Sequence, residues 1–168
     1  ACVATGLVAD GRHLVEMARE EAQWNKIRYD EPISVPELVN ILCEYKHMYT
    51  QFDGVRPFGV VLLVGGIDST GKHLFSTDPS GAYLGYKAVC EGKKSDDAMT
   101  QFTKNYASDI TLPQAFDLGF QTLKKITKQK FNAEMVEAAV IDEKTGYYKL
   151  SPDALKKVVE KHTTEQKE

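Results

Sequence analysis

Apolar and polar positions along this chain follow two periods. A short apolar run opens it, Ala1 to Val8 (ACVATGLV), and reads as a strand. Asp10 is placed to cap a helix running to about Arg28, with Leu14, Ala18 and Ala22 on one face. Ser34-Val35-Pro36-Glu37 opens a second helix. Ser34 can accept from the amide three residues on, Glu37 can reach back, and Pro36 is tolerated in the first turn. Leu38, Leu42, Tyr45, Tyr49 and Phe52 continue at helical spacing until Gly54. Phe58 to Gly65 (FGVVLLVG) is apolar at every second position and between, as expected of a central strand covered on both faces.

The second half repeats the alternation. Turn residues at Ile67–Gly71 separate that strand from a short one at His73–Thr77. A tight turn at Asp78-Pro79-Ser80-Gly81 leads into a third strand, Ala82 to Cys90. Ser95 is placed to cap a helix burying Ala98, Phe102 and Tyr106. Thr111 is placed to cap another, with Leu112, Ala115, Phe116, Gly119, Leu123 and Ile126 as its stripe. A hairpin is expected at Met135–Ile141 and Tyr147–Leu150 around Glu143–Gly146. A last helix starts at Ser151-Pro152-Asp153, and the polar residues after about His162, with 163–168 as a tail, are expected to fray. Paired helices between antiparallel strands imply the α+β class, and 168 residues imply a single domain.

Composition narrows the function classes. A net charge of -3 gives no electrostatic reason to expect nucleic acid. Lysines at 124, 125, 128 and 130 read as a solvated helix face. No apolar run approaches the roughly 18 residues of a membrane span. Cys2, Cys43 and Cys90 are odd in number and far apart, which fits a reducing compartment. Cys43 and Cys90 read as inert thiols rather than nucleophiles. His13, His47, His73 and His162 are too scattered for a zinc site, so neither metal nor cofactor is expected. Adjacent acids such as Glu20-Glu21 and Asp96-Asp97 point to different sides of a helix. Gly66 to Lys72 has the spacing of a phosphate loop. However, His73 stands where a magnesium-binding hydroxyl is needed, and a strand follows instead of a helix, so it reads as a hairpin turn.

Several strings resemble the α-type subunits of the proteasome core particle in the right order. They are Thr5-Gly6-Leu7-Val8-Ala9-Asp10 with Arg12, Ala18 to Ala22, and Tyr49-Thr50-Gln51 followed by Val55-Arg56-Pro57-Phe58-Gly59. Gly66-Ile67-Asp68, Leu74-Phe75, Thr77 to Gly81 and Tyr86-Lys87-Ala88 continue the series, and the likeness runs to about Lys161. Glu31-Pro32-Ile33 and Tyr49 to Phe52 resemble the eukaryotic type at the third ring position. One departure is Gly11, where the family usually has Ala, a change expected to weaken the helix by about 1 kcal/mol or less.

The resemblance implies a four-layer αββα sandwich of the N-terminal-nucleophile hydrolase fold. It implies missing upstream sequence of about 70 residues at ordinary element lengths, including a gate segment, a first helix and leading strands. It implies a non-catalytic role in ring assembly, substrate gating and activator docking in ubiquitin-dependent degradation, in cytoplasm and nucleus. Neighbouring α subunits, β-ring subunits and ATPase or other activators are the implied partners. Gly6 and Leu7 would floor the activator-docking pocket, and Tyr49, Gln51, Phe52 and Arg56 would meet ring partners. The alternative is an active threonine peptidase of the same fold. That chemistry needs a threonine whose own α-amine accepts the proton, and Thr5 is internal to this sequence.

Overall fold

The computed structural model describes residues 1–127 and 133–156. The chain divides into two compact units, Ala1–Lys87 and Ala88–Glu168, each with its own sheet. In the first, β1 (Cys2–Gly6) leads into α1 (Val8–Tyr29) and α2 (Val35–Met48). β2 (Val60–Asp68), β3 (Gly71–Thr77) and β4 (Tyr83–Gly85) follow. The strands form one antiparallel sheet in the order β1-β2-β3-β4.

The helix pair covers one face of that sheet. Leu14 and Ala18 from α1, with Val39, Leu42 and Cys43 from α2, bury Val60, Leu62 and Val64 of β2 and Phe58 before it. Truncating a buried leucine here to alanine would cost about 2–5 kcal/mol. The alternate residues of β2, Val61 and Leu63, are half-buried, so within this unit the strand is covered on one face rather than on both. Ser34 caps α2 as expected, its Oγ accepting from Glu37 N at 3.3 Å. The helix stops at Met48. Thr50 N and Gln51 N then bond three residues back, to His47 O and Met48 O at 2.9 Å, a tighter turn that carries the chain toward Gly54.

The phosphate-loop spacing resolves as the β2–β3 hairpin. Asp68 Oδ1 accepts from Thr70 N at 2.7 Å, Thr70 Oγ1 at 2.6 Å and His73 Nε2 at 3.1 Å, while Oδ2 accepts from Val35 N at 2.8 Å. These donors, Thr70 first, hold the Asp68 carboxyl well below the usual carboxylate range. A fixed negative charge at the centre of the loop is hostile to a phosphate. The third strand is shorter than expected. It pairs only with Phe75–Thr77, and after Gly85, which offers no side chain to pack, Tyr86 N makes one more bond to Leu74 O at 2.8 Å.

In the second unit, α3 (Ser95–Asn105) and α4 (Leu112–Thr127) precede a 3₁₀ turn (Ala133–Met135) and the hairpin β5 (Ala139–Asp142) and β6 (Gly146–Lys149). Ser95 does not cap α3. The chain arrives through Lys94 in the left-handed region at φ 64°, which puts Ser95 inside the first turn. Thr111 is held at the start of α4 by Gln114, whose Oε1 accepts from Thr111 N at 2.9 Å and Thr111 Oγ1 at 2.7 Å. β5 is shorter than expected because β6 ends at Lys149. Ser151 then opens the next helix, its Oγ accepting from Ala154 N at 3.2 Å. Phe120 and Leu155 form a buried cluster in this unit with Phe116, Val136, Ala138 and Leu150 around them. Lys128, Lys130, His162 and the tail 163–168 lie outside the described residues.

One buried group was not anticipated. Lys46 is fully buried on α2, and its Nζ donates to Val60 O and Thr77 Oγ1, each at 3.0 Å. Burial lowers its pKa from 10.5, with Cys43 and Asp78 pulling weakly the other way. A base with a lowered folded pKa loses its proton in the folded state first, so its contribution favours folding increasingly as pH rises toward 10.5. Urea titrations of wild type and Lys46→Met should therefore show wild type gaining on the variant as pH rises. A difference independent of pH would contradict a lysine whose folded-state pKa is lowered by burial.

Candidate functional site

The first helix starts in an unusual way. Asp10, expected as its cap, lies in its first turn, three residues after the flanking Leu7, and no side chain caps the helix. The carboxylate instead faces the segment before β2. Oδ2 accepts from Arg56 Nη1 at 2.7 Å and from Gly59 N at 2.8 Å, and Oδ1 accepts from Arg56 Nη2 at 2.8 Å. Donors from 46 and 49 residues away thus displace the local capping role. The paired guanidinium N–H groups match a carboxylate in a fixed fork geometry.

Gly59 is used on both sides of its peptide. While its N–H binds Asp10, its carbonyl accepts from Leu7 N at 2.9 Å. Gly6, at φ +120°, lies so close that a Cβ there would stand 2.4 Å from Gly59 O. Gly11 answers the same close packing: a Cβ on it would meet Ala4 Cβ at 2.7 Å. The departure from Ala at this position therefore makes room for β1 against α1, a reason the helix propensity alone did not show.

The expected site residues fall into four environments. Gly6 and Leu7 are both exposed and bolted to Gly59. Tyr49 is half-buried in an aromatic cluster, its ring 4.8 Å from Phe58 and its hydroxyl 3.1 Å from that of Tyr45. His13 joins this cluster, with Nε2 3.0 Å from Tyr45 Oη and its ring stacked on Phe58. Gln51 and Phe52 project from the turn after α2, Phe52 being 64% exposed. Arg56 is 64% exposed at its side chain, yet two of its nitrogens are committed to Asp10 within the chain.

Little in this region suits bond cleavage. Thr5 sits in β1 opposite Val61, its nitrogen a peptide nitrogen. Burial pushes the Cys43 thiol up to about 11, and it raises Cys2 and Cys90 as well. Among the described residues, no group of His, Cys, Asp and Glu could hold a metal ion, and no helix is long and apolar enough to cross a membrane.

Residues 1–141 match the family model described as "Proteasome subunit". The chain belongs to the proteasome subunit family. Its fold is accordingly that of the N-terminal-nucleophile hydrolases, α+β with antiparallel sheets. Similar proteins include the proteasome subunit alpha of Methanothermobacter thermautotrophicus, 46% identical over 149 residues, covering 89% of this chain and 60% of the relative. That of Methanopyrus kandleri is 43% identical over 156 residues, covering 93% and 63%. That of Archaeoglobus fulgidus is 43% identical over 163 residues, covering 95% and 65%. The chain thus spans less than two thirds of the length of these relatives, all of them archaeal.

Asp10 and Arg56 stand in separate strings of the sequence, 46 residues apart, and no local pattern joins them. The available signal was an acid in the first turn of a helix lacking a polar cap, together with an arginine just before an apolar strand.

Asp10 is held down to about 2 by Arg56 first and the Gly59 N–H second. A carboxylate with a lowered folded pKa contributes stability above its unfolded value of 3.8, and loses it as pH falls through about 2. Asp10→Asn should be less stable than wild type at neutral pH, and the difference should shrink as pH falls from about 4 to about 2. Thermal unfolding followed by circular dichroism across that range checks this; a gap that persists below pH 2 would contradict it.

Proposed function

We propose that this chain is a non-catalytic α-type ring subunit of a proteasome core, shaping a compartment rather than cutting peptides. The observation that carries the reading is its likeness to relatives named proteasome subunit alpha along nearly its whole length. The surface is consistent with it. Large apolar side chains stay exposed at the ends of the helix pair: Trp24, Ile27 and Tyr29 on α1, and Met48, Phe52 and Val55 at and beyond the end of α2. Such positions beyond the core's needs are where partner subunits dock. On this reading, neighbouring α subunits and β-ring subunits are the partners, and the Gly6–Leu7 turn is the floor of an activator-docking pocket.

The finer assignments rest on the resemblance alone. These are a type like the eukaryotic third ring position, a gating role, ubiquitin-dependent degradation and a place in cytoplasm and nucleus.

The structure sharpens the choice of test residue. A charge at Tyr49 would break the aromatic cluster and confuse folding with docking, whereas Phe52 is exposed. Phe52→Glu should leave the melting transition within about 0.5 kcal/mol of wild type, as for an ordinary surface change. It should reduce incorporation into rings on native gels. Normal assembly of Phe52→Glu would overturn the docking assignment.

A further inference from the structure

We propose that His13 is a proton-controlled switch for the hydroxyls of Tyr45 and Tyr49: taking up a proton reverses their hydrogen-bond chain and frees the Tyr49 hydroxyl to donate outside it. The switch is a property of this chain and stands whether or not Tyr49 meets a ring partner. The atoms run in line from α1 to α2. His13 Nε2 lies 3.0 Å from Tyr45 Oη, which lies 3.1 Å from Tyr49 Oη. One buried side chain holds all three rings. Phe58 stacks on His13 at 6.1 Å between centroids, and meets Tyr45 at 5.6 Å and Tyr49 at 4.8 Å. Reversal therefore needs only hydrogens to move.

Proton counting sets the direction. Each hydroxyl has one proton to give, so Tyr45 can donate to His13 or to Tyr49 but not to both. A neutral imidazole nitrogen, whose conjugate acid has an ordinary pKa of about 6.5, is the strongest base of the three atoms. With His13 neutral, Tyr45 accordingly donates to Nε2 and Tyr49 donates to Tyr45. With His13 protonated, both ring nitrogens are donors. Nε2 then donates to Tyr45, and Tyr45 donates to Tyr49. The Tyr49 proton is released, and Tyr49 Oη has no other hydrogen-bond partner among the described residues.

The surrounding charges stay fixed while this happens. From α2, the Tyr49 hydroxyl first and burial second raise the Tyr45 pKa above 10, so Tyr45 keeps its proton. On α1, Asp10 acts electrostatically on His13 but is held down to about 2 and stays ionised against Arg56. Arg12 beside it stays charged, and Glu16 pairs with Arg19 at 2.9 Å. From the segment before β2, Phe58 brings no charge and Arg56 is committed to Asp10. His13 is exposed, so protons reach it from water, and imidazoles change charge between about pH 5 and 8.

In the purified chain, with ¹⁵N in histidine and ¹³C at the tyrosine Cζ, NMR reads both ends of the relay. At high pH the His13 ring should carry its proton on Nδ1, leaving Nε2 as acceptor; a proton on Nε2 there would mean that nothing reverses. As pH falls, the Tyr49 Cζ resonance should move together with the His13 ring. Tyr45→Phe keeps the His13 charge and removes the link, so the Tyr49 movement should be lost in it. Movement that persists in Tyr45→Phe would show a direct field effect and overturn the relay. His13→Gln keeps a polar side chain without titrating, and is the second variant should Tyr45→Phe not fold. Its Tyr49 resonance should be flat from pH 8 to 5, and a Tyr49 signal that still moves would equally overturn the switch.

Discussion

The Asp10 carboxylate is the point on which the first unit's geometry turns. It sits in the first turn of α1, where the helix dipole favours a negative charge, yet its oxygens are spent on Arg56 and Gly59 rather than on the helix's own amides. One side chain thereby joins the end of β1, the start of α1 and the segment that delivers β2. Two glycines accept the crowding this causes: Gly6 lies against the Gly59 carbonyl, and Gly11 lies against Ala4. The exposed Leu7 and Val8 are the outward consequence of an inward constraint.

Below that junction the unit is ordinary in its physics. A helix pair lays Leu14, Val39 and Leu42 on Val60, Leu62 and Val64, and the hairpin after β2 is pinned to α2 by Asp68. Lys46 is the exception, a buried lysine that donates to a carbonyl and a hydroxyl in a position that periodicity reserves for an apolar residue. The unit also presents surface: exposed apolar groups at the ends of the helix pair, and a glycine-crowded turn at its start.

Periodicity made the order of elements legible, and the Ser34 cap and the β2–β3 hairpin followed from short local patterns. Ends were harder to read. β5 is limited by where its partner must stop to begin a helix, and β4 by a glycine with nothing to pack, and both depend on neighbours that a window of sequence does not contain. The site was legible in part. Gly6, Leu7 and Arg56 stand in strings that the family resemblance singles out. The pairing of Asp10 with Arg56 spans 46 residues, so no spacing rule reaches it. Lys46 was visible in principle, falling with Val39, Leu42 and Cys43 at i, i+3, i+4 and i+7 on one stripe, where a lysine is out of place.

The proposed non-catalytic role requires that no residue of this chain act as a nucleophile on peptide bonds. The direct measurement is hydrolysis of a fluorogenic peptide amide by the purified chain, compared with its Thr5→Ala variant. We expect no turnover above the uncatalysed background in either protein. Turnover by the parent chain that disappears with Thr5 would contradict the account.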